Sequence, residues 1–497
     1  MKNSVLAVPV TLTNAEINVN TFAVSVTFSA PVDVENIVNS SIYIANADPW
    51  QNIAGRCDSM TPVGTGNMAF VIRFTPINPW TGGNIHLILD YDSGILDMDG
   101  DQIPRFNTVL NILDPLDPGV PTVIVSTAAE MYAAIRDAAE GDIIGAEAGD
   151  YYVTAKNNFI NKHNVTLRSV SGDPADVRIH GTGFHKENGY FDTPYDDLII
   201  ISNQSSHITI YGITVMDSNC HGIKAQGEDN VSDITVDRCR FININERGLK
   251  GSFGYPVNNL ICRNCYFENT LIPVESDHNP TYEGNYIGGV DMKSLKNSVF
   301  SNNTFVNIKG YSGGGRGAIY VSDIADNITC ENNIVIGCDR GLCLGNAWLP
   351  PTSTYHIEGG MIRNNFITNP SAEAIEIGFT NDVSIINNTI YRTDGGRGIR
   401  DTGYDDPAGP VYSTNTFIEN NLVNAAQVDA PNADMGTHNL IGYLTGYFVD
   451  AAAGDLRLTA NATGAIGQGV LLTDAPTDID GTERHSPTDI GAYEFPR

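Results

Sequence analysis

The chain reads as all-β: a small antiparallel sandwich followed by a long parallel β-helix. Three observations point there. Up to about residue 113, apolar and polar positions alternate between turn residues, as in Phe22–Phe28 and Phe70–Phe74. From about residue 160, an Asn-Asn pair followed by apolar residues recurs at 302–303, 332–333, 364–365, 387–388 and 420–421. Its second Asn advances by 30, 32, 23 and 33 residues. Seven short segments in the second half also repeat one order, a charged or small residue, then an apolar one, then usually a polar one. They lie at 221–224, 247–250, 289–293, 316–320, 340–343, 373–376 and 397–400. A repeat of this length is too long for a hairpin meander and has no helical period, so it implies stacked coils whose equivalent positions form columns.

The elements follow in order. Residues 1–113 form the expected sandwich. Within it, Asp97, Asp99 and Asp101 have the spacing of a calcium loop. The twelfth position is Thr108, where an acid is needed, so a tight hairpin turn is the competing reading. Residues 114–121, with three prolines, are a linker. The β-helix is assigned to 122–497. It opens with Thr127-Ala-Ala-Glu130 and a stripe of Met131, Ile135 and Ala138–Ala139, the signature of a capping box on a short amphipathic helix. In the coils, Asn suits left-handed backbone positions and its side-chain amides can bond from rung to rung.

Composition narrows the function. With 28 Lys and Arg against 58 Asp and Glu, the formal net charge is −30, which argues against nucleic acid as a general partner. No apolar run reaches the roughly 18 residues of a membrane span, and the first residues make no clear signal peptide. The eight cysteines include Cys262 and Cys265 in a C-x-x-C, with no second pair at zinc spacing. Small buried residues stacked inside the coils are the expected role, with Cys239 and Cys265 in matching places one repeat apart.

Against this acidic background, cations collect in the seven segments. Strand alternation turns Ile223, Leu249, Val290 and Met292 inward. Lys224, Lys250 and Asp291 then form one outward column, and Gln226, Ser252 and Lys293 the next. Arg316 and Tyr320 follow on the next coil, then Arg340. Lys224, Arg247, Lys250, Lys293, Arg316, Arg340, Arg397 and Arg400 all lie in or beside these slots. Stacked like charges on one face are unfavourable, so the column points to an anionic partner. A linear anion matching a long groove is a uronic-acid polysaccharide. The competing reading is a solvated face whose cations pair with Glu228, Glu246 and Asp339.

Cleavage of such a polymer by β-elimination needs the uronate carboxylate neutralised, a base for the neighbouring proton, and an acid for the leaving oxygen. Arg suits the first by bidentate pairing, and Lys suits the second where nearby cations lower its pKa. His221 and His278 are further acid or base candidates, and Lys224, Arg247, Lys250, Asp291, Arg340, Glu376 and Arg400 are candidate substrate contacts. A glycoside hydrolase on the same fold would instead need two facing carboxylates, for which Glu373, Glu376, Asp401, Asp405 and Asp406 are available. A non-catalytic surface or receptor-binding protein is the third reading.

The helix, the following Gly-Asp pairs and the Asn repeats resemble right-handed parallel β-helix proteins, including pectate-lyase-like polysaccharide lyases, over roughly 122–495. Asp478–Gly481, Arg484 and Asp489–Glu494 resemble the ends of many secreted members. Val26–Val32 and Gly94–Ile103 resemble bacterial immunoglobulin-like modules. The stretch Val290-Asp-Met-Lys-Ser294, with Asn302–Gly310 and Arg316, is similar to the active-site coils of chondroitinase B and related alginate lyases. That resemblance implies Lys293 as base and Arg316 on the following coil, with Tyr320 or Arg316 assisting the leaving group. It also implies calcium, but the family's paired acids are reduced here to Asp291. Lys250 or Arg247 would then neutralise the substrate directly, and no cofactor is required. Secretion or surface display is the matching expectation.

Overall fold

The computed structural model describes residues 12–496 apart from 19–22, 47–52, 63–66, 77–84, 90–92, 110, 114–116, 154–158, 185–196, 227–229, 252–255, 274–283, 347–353, 407–408 and 425–426. The chain divides into two units, Met1–Asp117 and Pro118–Arg497.

In the first unit, eight strands join into one sheet, antiparallel except where Glu16–Asn18 runs parallel to Asn111–Leu113. Alternate residues of its strands, including Val24, Val26, Phe28, Ile42, Ile44, Phe70, Ile72, Leu87 and Leu89, share one hydrophobic cluster. The antiparallel unit expected from alternation is present, while the described pairings establish no immunoglobulin-like strand order. The Asp97 loop is built as a hairpin turn. Asp97 Oδ1 accepts the backbone N–H groups of Asp99 and Asp101, both at 2.9 Å.

The second unit is a parallel β-helix. Three parallel sheets of 12, 11 and 10 strands run its length, each strand pairing with its equivalent one coil on. The N-terminal end is closed by the helix Ala128–Asp137. Thr127 Oγ1 accepts the N–H of Glu130, and the Glu130 carboxylate accepts that of Thr127, completing the capping box. Met131, Tyr132 and Ile135 are buried in the cluster that continues down the coils. The C-terminal motif is a knot of polar contacts: Asp478 accepts N–H groups from Asp480, Thr482 and Glu494, and Arg484 pairs with Glu494 at 2.7 Å.

The Asn pairs divide their work. The first member, Asn302, Asn332, Asn364, Asn387 or Asn420, takes a left-handed φ of 52–57° at the bend. The second member points inward, and Asn303, Asn333, Asn365, Asn388, Asn421 and Asn439 bond Nδ2 to Oδ1 along the stack at 2.8–3.1 Å. Cys239 and Cys265 hold the same place on the earlier coils, where Cys265 N–H donates to Asn303 Oδ1. All eight cysteines are buried and unbridged, so the C-x-x-C is core packing.

Above the ladder, Phe241, Phe267 and Phe305 stack with centroids 4.3 and 4.5 Å apart. They explain three of the Gly in the segments, Gly222, Gly248 and Gly289. A Cβ at Gly248 would lie 2.9 Å from the Phe267 ring and 2.6 Å from Gly289 O. A Cβ at Gly289 would meet Phe305 at 2.7 Å. The glycines therefore face the interior, and each ring fills the space a side chain would need.

Candidate functional site

The seven repeat segments lie on seven consecutive strands of the ten-stranded sheet, from His221–Ala225 through Arg397–Asp401. Their register puts Lys224, Lys250, Asp291, Tyr320, Cys343, Glu376 and Arg400 in one column. This is the stacking of Lys224, Lys250 and Asp291 that alternation predicts. Lys293 pairs with Ser322 in the neighbouring row, whereas Ser252 and His278 lie outside the described residues. The side chains of Asp405 and Asp406 are likewise outside the description.

The column is not a bare row of cations, as the sequence suggested. Most of these Lys and Arg have an acid beside them, and two of the acids, Asp197 and Asp323, are ones that the repeat does not reveal. Lys224 Nζ lies 3.4 Å from Asp197 Oδ2. Lys250 Nζ lies 3.3 Å and Arg247 Nε 2.5 Å from the same oxygen of Asp291. Lys293 Nζ is 3.1 Å from Asp323, whose other oxygen is 3.1 Å from His356 Nδ1. Arg340 reaches Glu376 at 3.0 Å and Glu373 at 3.4 Å, and Arg400 reaches Glu373 at 2.8 Å. The competing partners read from the sequence fare differently. Asp339 accepts the N–H groups of Gly310 and Gly315, and Glu246 lies beside His221.

These pairs are layered. The Lys250 side chain is 11% exposed over 3% for Asp291, Lys293 25% over 4% for Asp323, and Arg400 30% over 8% for Glu373. Carboxylates form the inner layer and cations the outer, so the face offered to solvent is cationic although its charges are balanced. Arg247 departs from this order. It is fully buried, with its guanidinium 3.8 Å from the centre of the Tyr286 ring, and holds Asp291 from below. Its expected role as a direct polymer contact is therefore replaced by a supporting one. Tyr320 is also buried, and the half-buried Arg316 lies over its ring at 4.8 Å.

The electrostatics follow from burial. Burial alone would raise the Asp291 carboxyl, but Lys250 and Arg247 outweigh it and hold it well below the usual carboxylate range. Burial pushes the Lys250 amine down; Asp291 opposes this, and the charges of Arg247 and Lys293 add to it. Burial raises the Tyr320 phenol. Farther along, burial and the charge of Glu373 raise Glu376. Within the early group, Arg247 Nη2 and Asp291 Oδ1 are buried with no hydrogen-bond partner among the described residues.

His221 occupies the first rung, in register with Asp197 before it and Arg247 after it. Strict alternation from Ile223 would send it inward. A Cβ on Gly222 would meet Phe241 at 2.9 Å, so Gly222 takes the inward place and His221 turns to the side of Lys224, where both reach Asp197. Among the carboxylates offered for hydrolysis, Asp401 is committed to the backbone, accepting from Gly403 N and Ser413 N.

No family model matches the chain, and no curated protein matches it. Among solved structures, it is similar to an alginate lyase from Paenibacillus sp. str. FPU-7, at 14% identity and a TM-score of 0.42, over 64% of this chain and 98% of that one. The A-module of the Azotobacter vinelandii mannuronan C-5 epimerase AlgE6 gives 15% and 0.39, over 66% and 98%. A polygalacturonase from Erwinia carotovora ssp. carotovora gives 11% and 0.37, over 66% and 96%. Scores this low decide nothing about chemistry, and the fold stands on the strand pairings above. Among the described residues, no helix is long and apolar enough to cross a membrane.

Proposed function

We propose that this protein is a polysaccharide lyase that cleaves a uronic-acid-containing polymer by β-elimination on the outward face of the ten-stranded sheet. The observation that carries the reading is the layering of the column. Cations reach solvent above buried carboxylates, giving an anion-binding face that the protein can hold stably with no ligand present. A polyuronate matches it in charge and in linear form. The proposed location is extracellular, where such polymers are found.

The three tasks fall on neighbouring groups. The resemblance of the Val290–Ser294 stretch implies Lys293 as base. The burial of Lys250 argues for Lys250 instead, because burial and the charges of Arg247 and Lys293 push its amine below its ordinary range, in the direction a base near the carboxylate needs. Lys293, more exposed and next to Asp323, then neutralises the uronate carboxylate, together with Arg316. Arg316 is the group nearest to hand for the leaving oxygen, with Tyr320 beneath it as support. Lys224 on one side and Arg340 and Arg400 on the other extend the cationic face along the polymer. No step requires a metal ion.

A panel of uronate polymers tests this. Cleavage should produce ultraviolet absorbance from a double bond conjugated to a carboxylate. New reducing ends without that absorbance would make the protein a hydrolase, and retention of polymer without cleavage would make it a binding protein.

A further inference from the structure

Lys224, Lys250 and Lys293 stand on three consecutive strands of the ten-stranded sheet, and each lies against an aspartate. The group behind the aspartate differs. At the middle strand it is Arg247, which meets the same Asp291 oxygen as Lys250. At the two flanking strands it is a buried histidine, which meets the oxygen that the lysine does not. Lys224 Nζ lies 3.4 Å from Asp197 Oδ2, and His221 Nδ1 lies 2.5 Å from Asp197 Oδ1. Lys293 Nζ lies 3.1 Å from Asp323 Oδ2, and His356 Nδ1 lies 3.1 Å from Asp323 Oδ1.

The chain builds this Lys, Asp, His order from different parts. Asp197 and His221 are register partners, and Lys224 lies on the strand of His221. Lys293, Asp323 and His356 come from three successive coils, the last two from the bends before Ala325–Glu331 and Ile357–Arg363. The same geometry reached by two routes is not a by-product of the repeat. Asp323 and Ile324 take φ of +61° and +63°. A left-handed β-branched residue is strained, and this turn sets Asp323 between Lys293 and His356. Both rings are fixed in turn. The His356 N–H donates to Phe379 O, its carbonyl accepts from Ala325 N, and its ring stands edge-on to Phe379 with centroids 5.9 Å apart. His221 Nε2 faces Glu246 Oε2 at 3.5 Å, an oxygen that also accepts from the Cys220 thiol.

A buried carboxylate that needed only a countercharge would be served as Asp291 is, by an arginine. An imidazole held by its own neighbours does more. It takes one carboxylate oxygen, fixes the plane of the group, and so sets the direction in which the other oxygen presents its ammonium. We propose that His221 and His356 are positioning residues: each locks an aspartate so that Lys224 and Lys293 stay aimed at uronate carboxylates one coil to either side of Lys250, a role that rests on reading this face as the polyuronate site. Burial would raise both carboxyls, yet His221 and Lys224 hold Asp197, and His356 and Lys293 hold Asp323, below the usual carboxylate range. Both aspartates therefore stay ionised and keep their lysines.

A double-mutant cycle on a cleaved uronate polymer tests this, read as KM and kcat at matched folded fraction. His356→Leu should raise KM several-fold and change kcat less. In a Lys293→Ala background it should add nothing, because its effect passes through that amine, whereas with Arg400→Ala the two effects should multiply. His356→Asn, whose amide nitrogen can take the place of Nδ1, should restore most of the loss, and His356→Gln should not. His221→Leu should act likewise through Lys224. An unchanged KM in His356→Leu, effects that multiply with Lys293→Ala, or equal KM in the Asn and Gln variants would overturn the role; the last comparison serves where the Leu variant does not fold. Nitrogen-15 NMR of the lysine ammonium groups needs no polymer. The Lys293 signal, assigned through Lys293→Arg, should shift in His356→Gln while that of Lys224 stays. A shift in a protein that neither cleaves nor retains any uronate polymer would sink the polysaccharide reading and keep the positioning; an unmoved signal would sink the positioning itself.

Discussion

In the early coils of the outward column, Lys250 and Arg247 converge on one oxygen of Asp291, while its other oxygen and one Arg247 nitrogen have no hydrogen-bond partner among the described residues. In the later coils, Glu373 draws in Arg340, Arg397 and Arg400, and Arg340 also holds Glu376. Both regions stack cations over acids with the same register. They differ in what their charges are left to do. The later coils distribute two carboxylates among three partly exposed arginines, an arrangement that holds shape and adds positive potential. The early coils concentrate charge in a buried knot with unused hydrogen-bonding capacity and a Lys pushed toward its neutral form. On the proposed reading, reaction chemistry belongs with the early coils and polymer retention with the later coils.

Removing the acid from each region should give the largest contrast in stability. Asp291→Asn leaves Arg247 charged and fully buried, and breaking a buried pair this way costs about 3–5 kcal/mol. Glu373→Gln should cost about 1 kcal/mol, because Arg397 and Arg400 can turn to water and exposed pairs contribute little. Urea unfolding of the two variants checks this, and equal losses would erase the distinction. The pH dependence has opposite signs. Asp291 is held below the usual range, so its stabilisation is full above about pH 4 and is lost only as acid passes its lower folded value. Glu376 is raised, so the fold loses stability as pH rises from about 4 through the folded value of Glu376.

An intermediate effect is expected inside the coils. Asn365→Leu interrupts the ladder between Asn333 and Asn388 and strands buried amide groups, at about 1–3 kcal/mol each. Activity per folded molecule should not change, which kcat measured at matched folded fraction would show. The smallest effect belongs to the later coils in function. Arg400→Ala should raise KM for a long polymer several-fold and leave kcat almost unaltered, whereas short oligomers should not sense the change. A fall in kcat would move the reacting centre toward Glu373 and Glu376, and with it the hydrolase reading.

Much of this was legible in the sequence for a physical reason: a β-helix repeats its rules once per coil. Spacing of the Asn pairs gave the coil length, Thr127 and Glu130 the cap, and the order around Lys224, Lys250 and Asp291 the outward column. Two of the acids beneath the cations were not legible. Asp197 and Asp323 stand outside the repeated segments, and pairing depends on which coil ends sit side by side. The spacing of His221 from Lys224 already put it beside the column, as the shared contact with Asp197 bears out, but the reason was hidden, because Gly222 breaks the alternation and only the Phe241 ring inside explains it. Nor could the sequence show that Tyr286, from a neighbouring coil, covers Arg247. Charge counting finds a column, but not which of its members reach solvent.

The most direct test is the elimination rate of Lys250→Ala and Lys293→Ala, compared on a polymer that wild type converts to the unsaturated product. Lys250→Ala should lose about 10²–10⁴-fold in kcat, with no rescue by Lys250→Arg, since a guanidinium does not act as a base near neutral pH. Lys293→Ala should mainly raise KM. Wild-type kcat/KM should rise with pH and level off below the ordinary Lys range of about 10.4, in keeping with the lowered Lys250 amine. Near-normal kcat in Lys250→Ala with loss in Lys293→Ala would contradict the assignment and return the base to Lys293.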